Sequence, residues 1–200
     1  MAGGLIIAVC GESGAGKSTT TGILADAGFA AYSLSGFLRA EAEAAFGTPT
    51  RVQVQTHGRD MQLAHGNDYY ARQLVNKTDL LEQARAVVDG MRNQDEVAYL
   101  RRAAGARSMT VVLLALVLDP DTRFERVRGR ARAGDPAERE RFREDDARAN
   151  GGYGGFQNNA ALIAAADVRI ENSGELAALR TALDTLIRGK GIEDVSTAQG

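Results

Sequence analysis

Leu5-Ile6-Ile7-Ala8-Val9-Cys10-Gly11-Glu12-Ser13-Gly14-Ala15-Gly16-Lys17-Ser18 joins a continuous apolar run to a glycine-rich turn and then to a stretch of helical pattern. Apolar residues in unbroken succession, ended by glycine, read as a strand buried on both faces, as in the centre of a parallel sheet. The turn matches G-x-x-x-x-G-K-[ST] at every fixed position and lies between a strand and a helix, the context that gives the motif its meaning. Its glycines permit backbone conformations that turn successive amides inward, and the helix starting near Lys17 adds its positive dipole end. Both favour a polyphosphate. Gly11, Ser13, Gly14, Ala15, Gly16, Lys17, Ser18 and Thr19 are therefore the candidate phosphate-binding residues. Lys17 is placed to reach the β and γ phosphates of ATP, and the Ser18 hydroxyl to ligate Mg²⁺. Lys17 is one of three lysines, with Lys77 and Lys190, in a chain whose other cations are arginines.

Outward from this stretch, apolar runs recur at 29–32, 86–88, 110–118 and 168–170, separated by segments of helical length. Alternation of this kind implies βαβ units and an α/β fold. The expected architecture is a three-layer sandwich, a five-stranded parallel sheet with helices on both faces. Helices are expected at 17–27, 37–46, as a pair across 52–76, and at 78–85, 95–104, 121–130, 157–166 and 175–188. The whole chain, 1–200, reads as one domain. Residues 131–155, opened by Gly134-Asp135-Pro136 and closed by Gly151-Gly152-Tyr153-Gly154-Gly155, read as a mobile insert with few apolar anchors; the tail at 195–200 is expected to fray.

The formal net charge of −2 hides an uneven distribution, because Arg101, Arg102, Arg107 and nine arginines from Arg123 to Arg148 crowd one region. Arginines gathered in this way suit small polyphosphate ligands or a solvated helical face better than a nucleic-acid module, which carries a global positive excess. Cys10 is the only cysteine, so no intrachain disulfide is possible, and it is expected to be inert at the end of a buried strand. No apolar run reaches membrane-spanning length and no leader pattern opens the chain, so the expectation is a cytoplasmic protein with no membrane partner. His57 and His65 show no metal-ligand spacing. Tyr69, Tyr70 and Phe142 are expected to pack. Asn172-Ser173-Gly174 follows the last strand, where it reads either as an ordinary turn or as a border of the ATP base.

Three further segments narrow the class. Ser33-Leu34-Ser35-Gly36-Phe37-Leu38-Arg39 resembles the S-T-G-D-M-L-R stretch of adenylate kinases. Val87-Val88-Asp89-Gly90-Met91-Arg92 resembles the strand and D-G-x-x-R of the same superfamily. Glu125-Arg126-Val127-Arg128-Gly129-Arg130 and Arg143-Glu144-Asp145-Asp146 resemble the two ends of the adenylate kinase lid. From about 5 to 180 the chain is similar to the P-loop NTPases of the nucleoside monophosphate kinase type, with deoxynucleoside monophosphate kinases and dephospho-CoA kinase-like proteins as relatives. The resemblance implies an acceptor-binding region at 34–85 and a small lid at 131–155. It implies catalytic roles for Lys17, Asp89, Arg92, Arg126 and Arg130, acceptor contacts from Arg39, Arg59, Arg92 and Arg143, and a metal held by Ser18 and Asp89. The partners it implies are small-molecule nucleotides. Phosphoryl transfer needs positioning and dispersed positive charge, which planar guanidinium groups supply. Arg128, Arg132, Arg139, Arg141 and Arg148 lie outside these motifs and read as solvated charges or partners of nearby acids.

One departure is informative. Gly36 stands where adenylate kinases, and kinases of hydroxyl acceptors, carry aspartate. An alcohol acceptor is helped by a positioned carboxylate base, whereas a monophosphate is already an oxyanion, so the glycine favours a phosphate acceptor. Asp89 and Asp60 are the carboxylates that would serve a hydroxyl acceptor instead. Three readings follow: a nucleoside or deoxynucleoside monophosphate kinase; a kinase of a hydroxyl on dephospho-CoA, a nucleotide or a modified DNA base; or an ATP-binding sensor with no acceptor.

Overall fold

The computed structural model describes residues 3–130, 135–151 and 157–189. Among these, five strands form one parallel sheet: β1 (Leu5–Gly11), β2 (Ala30–Ser33), β3 (Arg85–Asp89), β4 (Thr110–Val117) and β5 (Val168–Glu171), in the order β2-β3-β1-β4-β5. The opening stretch is the central strand, with β3 on one side and β4 on the other. Its period-two alternation sorts the core. Ile6, Ala8 and Cys10 face a layer containing Leu34, Leu38, Leu74, Leu100 and Leu162, and Leu5, Ile7 and Val9 face one containing Ile23, Leu24, Leu179 and Leu183. Helices α1 (Lys17–Asp26) and α9 (Leu176–Gly189) supply the second layer. The first is supplied by α2 (Leu34–Phe46), α4 (Tyr69–Lys77), α5 (Gln94–Gly105) and α8 (Asn159–Ala164), with α3 (Arg51–His65) packed on α2. Helices on both faces of a five-stranded parallel sheet are what alternating strand and helix patterns demand.

The strands fall where the apolar runs place them, within a residue or two. Two helical assignments differ. The helix expected at 78–85 is a short 3-10 turn, Leu80–Glu82, because Thr78 ends α4 in an extended conformation and Arg85 already belongs to β3. Conversely, 139–149 forms helix α7 (Arg139–Ala149), which follows α6 (Pro120–Arg130). The segment does carry an apolar anchor: Phe142 is buried with Phe124 and Val127, its ring 5.6 Å from that of Phe124. Helix α2 starts at Leu34, earlier than the pattern suggests, since the Ser33 hydroxyl caps it by accepting from the Gly36 amide. Residues 131–134, 152–156 and 195–200, which figure in the expected insert and tail, lie outside the described residues. No helix among the described residues is long and apolar enough to cross a membrane.

Cys10 is fully buried at the end of the central strand, and burial pushes its thiol up to about 11, against the opposing pull of Lys17. The thiolate is the reactive form, so a thiol reagent at pH 8 is expected to leave the folded protein unmodified and to label it promptly in denaturant. Prompt labelling in native buffer would mean that the central strand opens.

Candidate active site

The P-loop begins where β1 ends. Gly14 and Gly16 have φ of 83° and 104°, which disfavour any other residue, and both are also hemmed in. A Cβ on Gly14 would come within 2.6 Å of the Arg123 carbonyl oxygen, and one on Gly16 within 2.3 Å of Asn172 Nδ2. Asn172 is buried and donates to the Ala15 carbonyl at 2.9 Å, so the small polar turn after β5 braces the loop from beneath. Gly16 is the N-cap of α1 and offers no side chain, which leaves the first-turn amides for an anion. Lys17 Nζ donates to the carbonyls of Gly11, at 2.7 Å, and Glu12, at 2.9 Å. Burial of the ammonium lowers its pKa, opposed chiefly by the charge of Asp89.

Beyond the loop runs one cleft of about 1460 Å³. Gly11, Ser13, Gly14, Gly16, Lys17, Ser18 and Thr19 line one end, joined by Arg126 and Arg130 from α6. Arg130 reaches the loop, with Nη2 3.4 Å from Ser13 Oγ, while Asp135 grips its Nε at 2.7 Å and Nη2 at 3.0 Å. Asp89 and Arg92 line the middle. Arg39 of α2 and Gln55, Arg59 and Gln62 of α3 line the far end. Two of the expected site residues do not line the cleft with their side chains: that of Ala15, within the loop, is buried, and Arg143 is exposed on α7. Helical phase explains the second, because α7 turns Phe142, Asp145, Asp146 and Ala149 toward the cleft and Arg143 away from it. Asp60 does not line the cleft either, so of the two carboxylates considered for a hydroxyl acceptor, Asp89 alone is present there.

The middle is tightly organised. Gly90, with φ of 90°, lets the chain turn after β3 against Ser35, whose Oγ would lie 2.7 Å from a Cβ there. Arg92 donates from Nη2 to Ser35 Oγ at 3.4 Å and lies 5.9 Å from the Tyr70 ring centroid; its Nη1 is buried with no hydrogen-bond partner among the described residues. Its backbone is held on both sides. Glu96 Oε2 accepts from the Arg92 amide at 2.6 Å, and the Arg92 carbonyl accepts from the Asn158 amide at 2.7 Å. Asn93 and Glu96 form a reciprocal capping box on α5. Asp89 Oδ1 is likewise buried and without a partner among the described residues. A carboxylate oxygen of this kind, in a cleft with the Ser18 hydroxyl, fits a hard cation that takes its remaining oxygens from phosphates and water. No cluster of three or more His, Cys, Asp or Glu suited to a metal occurs among the described residues.

Residues 7–151 match the family model of an AAA domain, a span from β1 through α7. A UPF0200 protein of Staphylothermus marinus is 33% identical over 174 residues, 86% of this chain and 85% of the relative. One of Hyperthermus butylicus is 34% identical over 142 residues, 71% of this chain and 74% of that one. The chain belongs to the UPF0200 family. This UPF0200 chain has the fold of the P-loop kinases. Shikimate kinase from Acinetobacter baumannii, solved in complex with shikimate, matches it with a TM-score of 0.55 over 96% of each chain at 16% identity, a likeness of fold.

Several residues that organise the UPF0200 site carry no motif signal of their own: Arg123, Glu12 and Asn150; Asn172 stands in the turn that the sequence reads either as an ordinary turn or as a border of the ATP base, and it braces the loop. Glu96 did leave one, since Asn93-Gln94-Asp95-Glu96 has capping-box spacing. Burial raises the Glu96 carboxyl from 4.5 to about 7, against the opposing charge of Arg92. The folded state therefore binds a proton between these values that the unfolded chain does not, and stability falls as pH rises through that window. Glu96→Gln keeps an acceptor for the Arg92 amide and cannot ionise. Its urea midpoint should gain on that of the parent as pH goes from 4.5 to 7. A difference that does not change with pH would show that Glu96 ionises freely in the folded protein.

Proposed function

We propose that this protein is an ATP-dependent phosphotransferase that moves the γ-phosphoryl group of MgATP to a nucleoside or deoxynucleoside monophosphate. The carrying observation is a cleft lined by cations from separate elements: Lys17 of the P-loop, Arg126 and Arg130 of α6, Arg92 after β3, and Arg39 and Arg59 of α2 and α3. Its volume exceeds the roughly 300–1,000 Å³ usual for one small ligand, which suits a donor and an acceptor bound end to end. In this reading the P-loop amides and Lys17 hold the donor phosphates, and Arg39 and Arg59 hold the acceptor phosphate. Lys17, Arg92, Arg126 and Arg130 spread positive charge around the group in transit. Ser18 and Asp89 would hold Mg²⁺, which supplies further charge neutralisation on the phosphates. The described part of the expected lid, 135–151, would cover the donor and keep water from the acceptor oxygen.

A second reading has one specific support. The unpartnered Asp89 oxygen in the cleft could serve as the base that a hydroxyl acceptor needs, and the shikimate kinase fold accommodates an acceptor that carries hydroxyls. Against it stands Gly36. Its backbone is free of positive φ, and a Cβ there would meet nothing closer than 3.7 Å, so a carboxylate has room at that position and none is supplied.

The deciding experiment offers MgATP with a panel of nucleoside and deoxynucleoside monophosphates and of alcohol acceptors, scored by product mass. Transfer to a monophosphate is the expected result, and transfer to alcohols alone would favour the second reading. Lys17→Ala should fold and lose transfer by roughly 10²–10³-fold, the cost of removing one charge-stabilising donor. Arg39→Ala should instead raise the KM for the acceptor by about tenfold or more, as loss of a charge-assisted hydrogen bond predicts, with ATP affinity retained. Loss of ATP affinity with acceptor affinity intact would reverse the assignment of the two ends.

A further inference from the structure

The most voluminous fully buried side chain among the described residues is an arginine, Arg123 of α6. Its Nη2 lies 3.2 Å from Glu12 Oε2 and 2.5 Å from Asp146 Oδ2. Its Nη1 donates to the Ser13 carbonyl at 3.2 Å and its Nε to the Leu118 carbonyl at 3.2 Å. The guanidinium carbon sits 5.3 Å from the Phe142 ring centroid. The other oxygen of Glu12 accepts from Asn150 Nδ2 at 2.9 Å. One cation thus ties the P-loop, through Glu12 and Ser13, to α7, through Phe142 and Asp146, with a second strand of the same tie running from Glu12 to Asn150. Glu12, Arg123 and Asn150 do not line the cleft, so a direct hold on nucleotide does not account for them.

Ion pairs removed from water contribute through geometry and satisfied donors, and loss of one partner leaves the others buried and uncompensated. A planar fork with fixed donors can serve two carboxylates and two carbonyls at once, which the point charge of lysine cannot. We infer that Arg123 is a positioning residue that fastens α7 to the P-loop, so that the loop's grip on a polyphosphate and the seating of α7 form one equilibrium. This rests on the reading of the loop as a phosphate site. Linkage makes the coupling reciprocal: a change at Glu12 is felt in α7, and a change at Asn150 is felt in nucleotide affinity.

The test uses amide hydrogen exchange on the full chain, with and without MgATP, and nucleotide titration. In the nucleotide-free protein, Glu12→Ala should lower protection of the α7 amides by about tenfold, the loss expected for a hydrogen bond to a charged group, while β4 and α9 keep theirs. Asn150→Ala should weaken ATP affinity severalfold, and Arg123→Lys should do both. Unchanged α7 protection in Glu12→Ala would overturn the inference. So would a uniform loss of protection in a folded Arg123→Lys protein with ATP affinity intact, which would make Arg123 a core residue only. Failure of the wild-type protein to bind ATP would instead remove the proposed function, and the nucleotide-free α7 readout would still decide the coupling.

Discussion

The site depends on a loop whose carbonyls at Gly11, Glu12, Ser13 and Ala15 are each taken up by a donor of the protein itself. A backbone folded this tightly has an oxygen to satisfy for every amide it presents. The Gly11 and Glu12 carbonyls accept from Lys17, the Ser13 carbonyl from Arg123, and the Ala15 carbonyl from Asn172. These donors come from the start of α1, from α6 and from the turn after β5, so three elements converge on a stretch of five residues. Gly14 and Gly16 are the positions at which that convergence leaves no room for a side chain. The loop's shape is thus a property of the sheet edge as a whole, held by strands β1, β4 and β5 in their parallel register.

The arginine-rich region divides by what each guanidinium meets. Arg128 pairs with Glu125, Arg139 with Asp121 and Glu125, Arg148 with Asp145, and Arg101 with Asp167, all at the surface. Exposed pairs of this kind contribute about 0–1 kcal/mol each and mainly neutralise charge. Arg39 and Arg126 have no such neutralising partner among the described residues and line the cleft. Net charge near zero and a locally cationic cleft are therefore compatible: some acids neutralise arginines at the surface, while among the carboxylates lining the cleft Asp135 holds Arg130, Asp145 holds Arg148, Asp146 holds Arg123, and Asp89 suits a metal.

Most of the fold was legible because its central strands, β1, β3 and β4, are buried on both faces and so appear as unbroken apolar runs. Helix α7 was not, because its alternation of arginine and acid reads as a solvated stretch and one residue, Phe142, provides its apolar anchor. The hub at Arg123 left a fainter trace. Arg123, Phe124 and Val127 share the spacing of a buried helical face, and a charge on such a face requires buried partners, but nothing in the linear sequence names Glu12 and Asp146 as those partners. Arg143 shows the converse, in which a motif resemblance names a residue that the phase of its helix turns away from the cleft. Motif reading is most secure where backbone geometry, not side-chain reach, shapes a site, as at the positive φ of Gly14 and Gly16.

The supports of the loop are not equivalent. Asn172 and Arg123 are buried and bonded to carbonyls that a ligand cannot reach, so they persist whatever the loop holds. Lys17 is different: its partners are two carbonyls at the mouth of the cleft, and its ammonium is desolvated and drawn toward Asp89. A polyphosphate arriving at the loop offers that ammonium full negative charge in place of neutral carbonyls, and charge-assisted hydrogen bonds are about twice as strong as neutral ones. Lys17 is therefore the support that can be exchanged for a ligand contact. The exchange leaves the Gly11 carbonyl in need of another donor, the Ala15 amide still serving that of Glu12 at 3.3 Å, while Arg123 and Asn172 keep the rest of the loop in place. The loop can thus take up a phosphate without reshaping, and the cost of reorganisation falls on one flexible side chain and not on the backbone.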